Sequence, residues 1–144
     1  TALDVTVQAQ ILGLLRRLAV ERGVSVLFTT HDLGAAWEIC DRVVVMYAGQ
    51  TAEIAPREAF FADPRHPYTR MLLDSLPEPG RDPVGIPGGV PSPLTPPGGC
   101  RFNPRCPRVT DICREARPAL DEREPGHLVA CHHPATASAE ALHA

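Results

Sequence analysis

Lysine is absent from this 144-residue sequence, and aromatic residues make up only 5% of it. All 14 basic residues are arginines, interspersed with 17 acidic residues for a net charge of −3, so no basic stripe is available to neutralise a nucleic-acid backbone. Strongly apolar runs, such as residues 43–46, are far shorter than the roughly 20 residues needed to cross a bilayer. The composition therefore excludes a nucleic-acid partner and a membrane span. The opening residues do not resemble a signal peptide, which predicts a reducing cytoplasmic compartment.

The first part of the chain carries helical and strand patterns in alternation. Apolar residues at a 3.6-residue spacing predict a helix over residues 6–22 that ends at Gly23. Its expected buried stripe consists of Val7, Ile11, Leu14, Leu15 and Leu18. Residues 24–30 (VSVLFTT) are short, largely apolar and rich in β-branched side chains, as in a strand covered on both faces of a parallel sheet.

A second helix and two further strands follow. Asp32 is the predicted N-cap of the helix. The expected inward face of this helix comprises Leu33, Ala36, Trp37 and Cys40. Residues 42–48 and 51–55 read as strands joined by a turn at Gly49 and Gln50. The order predicts an α/β sheet with its last strands antiparallel. About three strands leave an open edge, so this unit is expected to be the end of a larger domain.

Beyond residue 56 the sequence becomes rich in breakers of regular structure. Helices are predicted at about residues 57–62 and 69–75. Eight of the 16 prolines lie between residues 77 and 97, which predicts an extended connector rather than helix or strand. The connector leads to a cysteine-rich segment, and residues 135–144 are expected to fray.

Several motifs resemble those of ATP-binding cassette (ABC) ATPases. Residues 1–11 (TALDVTVQAQI) resemble the D-loop and its helix, and residues 30–34 (THDLG) resemble the switch-histidine loop. Residues 42–50 (RVVVMYAGQ) are similar to the strand pair that closes the nucleotide-binding domain. Residues 66–70 (HPYTR), with the later cysteines, resemble the C-terminal extension of oligopeptide, dipeptide and nickel importer ATPases.

This resemblance implies a fold and a division of the chain. The fold is α/β, the C-terminal part of an ABC-type P-loop NTPase sheet followed by an irregular cysteine-rich extension. The implied segments are the end of the nucleotide-binding domain, the HPY segment with its connector, a four-cysteine module and a disordered tail, at residues 1–62, 63–99, 100–134 and 135–144.

The same resemblance assigns roles to two residues. His31 corresponds to the switch histidine, which touches the γ-phosphate of ATP and the attacking water in a dimer of two subunits. Asp4 corresponds to the D-loop that reaches across that dimer; from the residues alone, helix capping is nearly as good an account of Asp4, and a structural role remains open for His31. The P-loop, Q-loop, signature and Walker B motifs are not found here, and a chain without lysine has no P-loop lysine. ATP and Mg are thus expected only in an intact subunit, and this chain alone is predicted to be inactive.

Four cysteines form a C-x5-C-x6-C-x17-C pattern: Cys100, Cys106, Cys113 and Cys131. Their segment is poor in apolar residues, so a metal centre is expected to hold it together, since disulfides are improbable in a reducing compartment. Spacing alone leaves zinc and iron-sulfur open. The resemblance implies a 4Fe-4S cluster, with zinc as the alternative. Arg101, Arg105 and Arg108 are candidates for offsetting the cluster's charge. His132 and His133 are weaker ligand candidates, and Cys40 is expected to be an inert core thiol.

The expected function is that of a fragment of the subunit that hydrolyses ATP to drive import of peptide or a related solute. Its expected partners are a second ABC ATPase subunit and the transmembrane subunits of the transporter. The expected location is therefore cytoplasmic, peripheral on the inner face of the cell membrane. Two alternatives remain, a non-enzymatic metal-binding adaptor and an independent redox protein.

Overall fold

The computed structural model describes residues 5–77, 80 and 82–135. These belong to two compact units, Thr1–Asp41 and Arg42–Ala144. Each unit is described by itself below. Asp4, the predicted D-loop residue, lies outside the described residues.

The first unit contains two helices. Helix α1 (Val5–Arg22) ends as predicted, because Gly23 follows in the left-handed conformation with φ of 62°. Helix α2 (Leu33–Ile39) begins at the predicted cap, Asp32. The capping prediction is confirmed by the hydrogen bonds that the Asp32 carboxylate accepts from the first turn of α2.

Two predictions for the first unit are wrong. Residues 24–30 form no strand, because the described part of the first unit contains no strand that could pair with their backbone groups. The apolar stripe of α1 is largely exposed, with Leu14 47% accessible, and Leu12 is the buried residue instead. Of the predicted inward face of α2, Ala36 is buried but Trp37 is 48% exposed. The apolar patterns are real, but the described part of the first unit contains too few other elements to cover them.

The second unit combines a sheet with short helices. Its elements are β1 (Arg42–Tyr47), β2 (Gln50–Pro56), α3 (Arg57–Ala62), α4 (Pro67–Asp74), a 3₁₀ turn (Asn103–Arg105), α5 (Asp111–Glu115), β3 (Asp121–Glu124) and β4 (His127–Val129). The α/β class is confirmed. Strands β1 and β2 are antiparallel as predicted, although the turn between them lies at Ala48 and Gly49, one residue earlier. Both turn residues have positive φ, 46° and 78°, which matches the twist of a two-residue hairpin.

The cysteine-rich extension is more regular than predicted. Strands β3 and β4 form a hairpin, and β4 pairs with β2 to give the antiparallel order β1-β2-β4-β3. The extension also supplies core residues, since Phe102 and Val129 are almost completely buried. Phe102 packs between Tyr47 and Tyr68, with ring centroids 5.1 Å and 5.3 Å away. The extension is therefore built onto the edge of the strand pair and shares its core.

The proline-rich connector has no helix or strand in its described residues 82–98, as predicted. It is nevertheless held in place by Arg105. The guanidinium donates to the carbonyl oxygens of Ile86 and Pro87, both at 2.8 Å, and to the Tyr47 hydroxyl at 3.2 Å. Within the described part of the chain, no helix is both long and apolar enough to span a membrane.

Candidate functional site

His31 lies on the loop directly before α2, and its imidazole is exposed. The backbone around it is fixed by its neighbour, since the Asp32 carboxylate accepts from the backbone N–H of Gly34 at 2.9 Å and of Ala35 at 3.2 Å. The Asp32 backbone N–H in turn donates to the Thr30 hydroxyl at 2.9 Å. Hydrogen bonds, first of all from the Ala35 backbone, lower the pKa of Asp32. An anchored loop thus presents an imidazole to solvent, where a ligand or a second chain can reach it.

The four predicted ligand cysteines line one cavity of the second unit. The cavity measures about 300 Å³, including its opening to solvent, and His132 and His133 also line it. All five cysteines of the chain have free thiols, and Cys40 belongs to the first unit. The quartet predicted from spacing is therefore brought together around a common space.

Polar groups lie beside the sulfur atoms of this quartet, and at three of them the polar group is a backbone N–H donor. The backbone N–H of His133 donates to Cys131 Sγ at 3.3 Å, and the Thr110 hydroxyl lies 3.5 Å from Cys113 Sγ. The backbone N–H groups of Phe102 and Asn103 donate hydrogen bonds to the Cys100 sulfur, and the backbone N–H of Arg108 donates to the Cys106 sulfur. Such donors favour a thiolate over a thiol. Three of the four sulfurs thus receive a backbone hydrogen bond that favours their negatively charged form.

Burial nevertheless favours the thiol form of Cys100, Cys106 and Cys131 over the thiolate. Burial raises the pKa of Cys131 to about 11, and it raises the pKa of Cys100 and Cys106 as well. Repulsion between the neighbouring sulfurs acts in the same direction, against the backbone donors. Four thiolates in one cavity therefore require a positive partner, which a metal centre provides.

Close approach of two chain segments assembles the quartet. Gly99 has φ of 64°, and a β-carbon there would overlap the carbonyl oxygen of Cys113. The next residue, Cys100, donates its backbone N–H to that same carbonyl at 2.9 Å. Glycine at position 99 is thus what allows the first and third cysteines to meet.

Among the described residues, no group of three or more His, Cys, Asp or Glu side chains is arranged as the ligands of one metal ion. The His132 ring nitrogen Nε2 lies 2.9 Å from the carbonyl oxygen of Ala116, so that side chain is engaged elsewhere. His133 bonds to Thr110. The site is therefore a cavity surrounded by sulfurs, with both histidines in supporting contacts.

The three arginines near the cysteines have different surroundings. Arg108 lines the cavity and lowers the pKa of Cys106, against the larger effect of burial. Arg105 holds the connector, as described above, and Arg101 donates to the carbonyl oxygen of Ala48. Arg108 is thus placed to offset charge in the cavity, while Arg101 and Arg105 join the extension to the rest of the unit.

Sequence analysis missed a buried polar centre around Glu53. This side chain is fully buried in β2 and accepts from the backbone N–H groups of Arg65 at 2.8 Å and His66 at 3.0 Å. His127 Nε2 of β4 lies 2.6 Å from Glu53 Oε1. The HPY segment is therefore attached to the sheet by its backbone, while His66 Nδ1 accepts from the Tyr68 N–H at 3.0 Å and caps α4.

Comparison with known proteins shows which proteins this chain is similar to. Residues 52–113 match the family described as the oligopeptide/dipeptide transporter, C-terminal region. The oligopeptide transport ATP-binding protein YkfD of Bacillus subtilis is 46% identical over 138 residues, which are 92% of this chain and 42% of that protein. The peptide ABC transporter ATP-binding protein y4tS of Sinorhizobium fredii is 48% identical over 143 residues, 96% of this chain and 40% of its own length. A peptide import ATP-binding protein of Brucella ovis is 47% identical over 135 residues.

These matches define the class, an α/β chain carrying the C-terminal region of a transporter ATP-binding protein. Over more than nine tenths of its length the chain is similar to part of the ATP-binding proteins of oligopeptide and peptide ABC transporters, and residues 52–113 match their C-terminal region. It spans about 40% of the length of the curated relatives it matches.

Proposed function

We propose that this chain is the C-terminal part of an ATP-hydrolysing subunit that energises import of peptide or a related solute through an ABC transporter. The observation that carries this is the identity of 46–50% to transporter ATP-binding proteins over more than nine tenths of the chain. The relatives named above are all ATP-binding proteins of transport systems, which favours this function over a metal-binding adaptor. The partners would be a second ATPase subunit and transmembrane subunits, at the inner face of the cell membrane.

In that function His31 would act as the switch histidine. Its imidazole can donate a hydrogen bond to a phosphoryl oxygen at the dimer interface, and phosphoryl transfer depends mainly on positioning and charge stabilisation. The Asp32-capped turn supports this role because it fixes the backbone beside an exposed ring. Asp4 would serve as the D-loop residue, and ATP with Mg would be held chiefly by the parts that this chain does not contain.

A chimera tests this proposal. The matching residues of the Sinorhizobium relative would be replaced by this chain, and ATP turnover and peptide uptake measured with that relative's own partner subunits. The chimera should hydrolyse ATP, while the 144-residue chain alone should not. His31→Ala should lower turnover by about 100-fold, because one group that positions the reacting phosphate is lost. Glu38→Gln, on the exposed side of α2, is the matched control and should leave turnover unchanged. Full activity of the His31→Ala chimera would contradict the assignment.

We further propose that Cys100, Cys106, Cys113 and Cys131 hold a 4Fe-4S cluster. The residues fit such a group because four thiols line one cavity, a backbone N–H donates to three of the sulfurs, and the Thr110 hydroxyl lies beside the fourth. A bound cluster would supply positive charge that keeps the sulfurs ionised, and would cross-link two segments of the extension. Zinc held by the same thiolates is the alternative.

Metal analysis distinguishes a 4Fe-4S cluster from a zinc site. The chain would be purified without oxygen, and its iron, acid-labile sulfide and zinc quantified. Comparable amounts of iron and sulfide are expected, both lost in Cys113→Ser. Cys40→Ser removes a thiol outside the quartet and should retain both. Zinc without sulfide would replace the cluster with a zinc site.

A further inference from the structure

We propose that Thr110 and His133 act together as a positioning pair for Cys113, with the Thr110 hydroxyl donating a hydrogen bond to the ligand sulfur and His133 orienting that hydroxyl. This inference rests on the 4Fe-4S cluster proposed above. It assigns a role to two residues that the cysteine pattern does not include.

The position of Thr110 provides the first observation. Thr110 directly precedes α5, where a threonine side chain usually caps the helix by accepting from a backbone N–H. Its side chain makes no such bond. The Thr110 Oγ1 atom lies instead 3.5 Å from Cys113 Sγ and 2.7 Å from His133 Nε2. The Thr110 hydroxyl therefore contacts two residues that line the cysteine cavity and does not cap α5.

The direction of these bonds follows from counting protons. A metal-bound thiolate has no proton, so it can only accept, and the single hydroxyl proton of Thr110 must point at Cys113 Sγ. The Thr110 oxygen then has to accept from His133, which fixes the proton of that imidazole on Nε2. Binding of the cluster to the four cysteines would therefore favour the tautomer of His133 that carries its proton on Nε2.

His133 also reaches a second ligand. Its backbone N–H donates to Cys131 Sγ at 3.3 Å, while its side chain contacts Thr110. Cys113 lies on α5 and Cys131 follows β4, so one residue links two ligand segments that are far apart in the sequence. Hydrogen bonds to ligand sulfurs stabilise the reduced, more negatively charged form of a cluster and slow the loss of metal.

Three variants of the full 144-residue chain test the pair, each reconstituted without oxygen from ferric iron, sulfide and dithiothreitol, which reduces part of the iron. Thr110→Val keeps the shape of the side chain but removes the hydroxyl, and Thr110→Ser keeps the hydroxyl. Thr110→Val should shift the reduction potential, measured by titration with electron paramagnetic resonance, to a more negative value. It should also release iron to a chelator about tenfold faster. Thr110→Ser should match the parent chain in both measurements.

His133→Phe keeps a ring but cannot donate to Thr110, so it should shift the potential in the same direction by a smaller amount. This variant also tests the proposal if Thr110→Val does not fold, which circular dichroism of the metal-free chains would show. A parent-like potential in the folded Thr110→Val and His133→Phe chains would overturn the proposal, as would a Thr110→Ser chain that behaves like Thr110→Val.

The same experiment distinguishes a failure of the proposed cluster from a failure of the positioning pair alone. If the parent chain takes up no iron with sulfide, the cluster and the positioning pair both fail. If the parent chain forms the cluster and only the variants fail to differ from it, the positioning pair alone is wrong.

Discussion

Glu53 shows how a single side chain can join three segments. Its carboxylate is fully buried, yet it accepts from the backbone of the HPY segment at two positions and contacts His127 of the extension. A buried carboxylate is costly unless its hydrogen bonds are satisfied, and here three donors satisfy it. Glu53 therefore adds side-chain hydrogen bonds that attach both the HPY segment and β4 to β2, beside the backbone pairing of the two strands.

Glu53→Gln should destabilise the second unit by about 3 kcal/mol. The oxygens of Glu53 accept from the backbone N–H of Arg65 and of His66, one each, so an amide NH₂ at either place faces a backbone donor that cannot turn away. The free energy of urea unfolding, followed by near-ultraviolet circular dichroism of Tyr47 and Tyr68, measures the loss. Glu58→Gln on exposed α3 is the control, and an equal effect of both changes would contradict the role of Glu53.

The buried imidazole of His66 makes the free energy of unfolding depend on pH. Burial is the main cause that lowers its pKa from 6.5 to about 4, with the Glu53 carboxylate and a bond to the Ala130 backbone acting weakly in the opposite direction. Between these values the unfolded chain takes up a proton that the folded chain does not, because the His66 ring is buried away from water. Stability from this residue is therefore present above pH 6.5 and lost as the pH falls to about 4.

The expected loss over that interval is roughly 3 kcal/mol. Urea unfolding of the reduced, metal-free chain at a series of pH values measures it. His66→Asn can still cap α4 but does not titrate, so its stability should change less over the same interval. Identical pH profiles for the two chains would show that His66 is not responsible.

The sequence identified the four cysteines and His31 as candidate site residues, but it gave no sign of Glu53. Four cysteines separated in the sequence draw attention because few other roles suit them where disulfides are not expected. Glu53 sits in a β-branched, apolar context where a charged residue normally faces solvent. Its partner His127 is 74 residues away, so only the pairing of β2 with β4 reveals its burial.

At the scale of elements, the approach of the Gly99 loop to α5 determines whether the cysteine cavity exists. Gly99→Ala would place a β-carbon against the carbonyl of Cys113 and 2.8 Å from the carbonyl carbon of Arg114, in a backbone conformation unfavourable for alanine. The second unit should lose about 2–4 kcal/mol of stability, and reconstituted iron should fall with it. Gly85→Ala has open space and ordinary φ, so it serves as the control in the same unfolding and iron measurements. Equal iron content in the two variants would refute this reading.

Helices were predicted better than the strands of the extension. Residues 57–62 are helical as predicted, and α1 differs from its prediction by one residue, because the helical period and the stop at Gly23 are local signals. Strand β3 (DERE) is exposed along its whole length and has no apolar alternation. It forms only because β4 pairs with it, and β4 in turn is held by β2, so no local pattern identified it.

At the scale of the whole molecule, the first unit exposes apolar surface of the kind that a larger domain covers. Leu27 is 92% exposed and Val24 is 50% exposed, within the segment predicted as a buried strand. The relatives are more than twice as long as this chain, so the neighbours of that strand would come from the part of the relatives that the chain does not match. The strand prediction was wrong for this chain because a strand is specified by its neighbours as much as by its own residues.

Hydrogen exchange measured by mass spectrometry tests whether residues 24–30 form a strand in the longer protein. In the 144-residue chain, the backbone amides of residues 24–30 should exchange quickly, while those of β2 and β4 exchange slowly because they pair within the sheet. In the chimera with the Sinorhizobium relative, residues 24–30 should exchange at least about tenfold more slowly, since neighbouring strands would then bind their N–H groups. Strands β2 and β4 are the internal control and should change little. If residues 24–30 exchange equally fast in both proteins, they do not form a strand even in the longer chain, and the position assigned to His31 at the end of that strand fails with it.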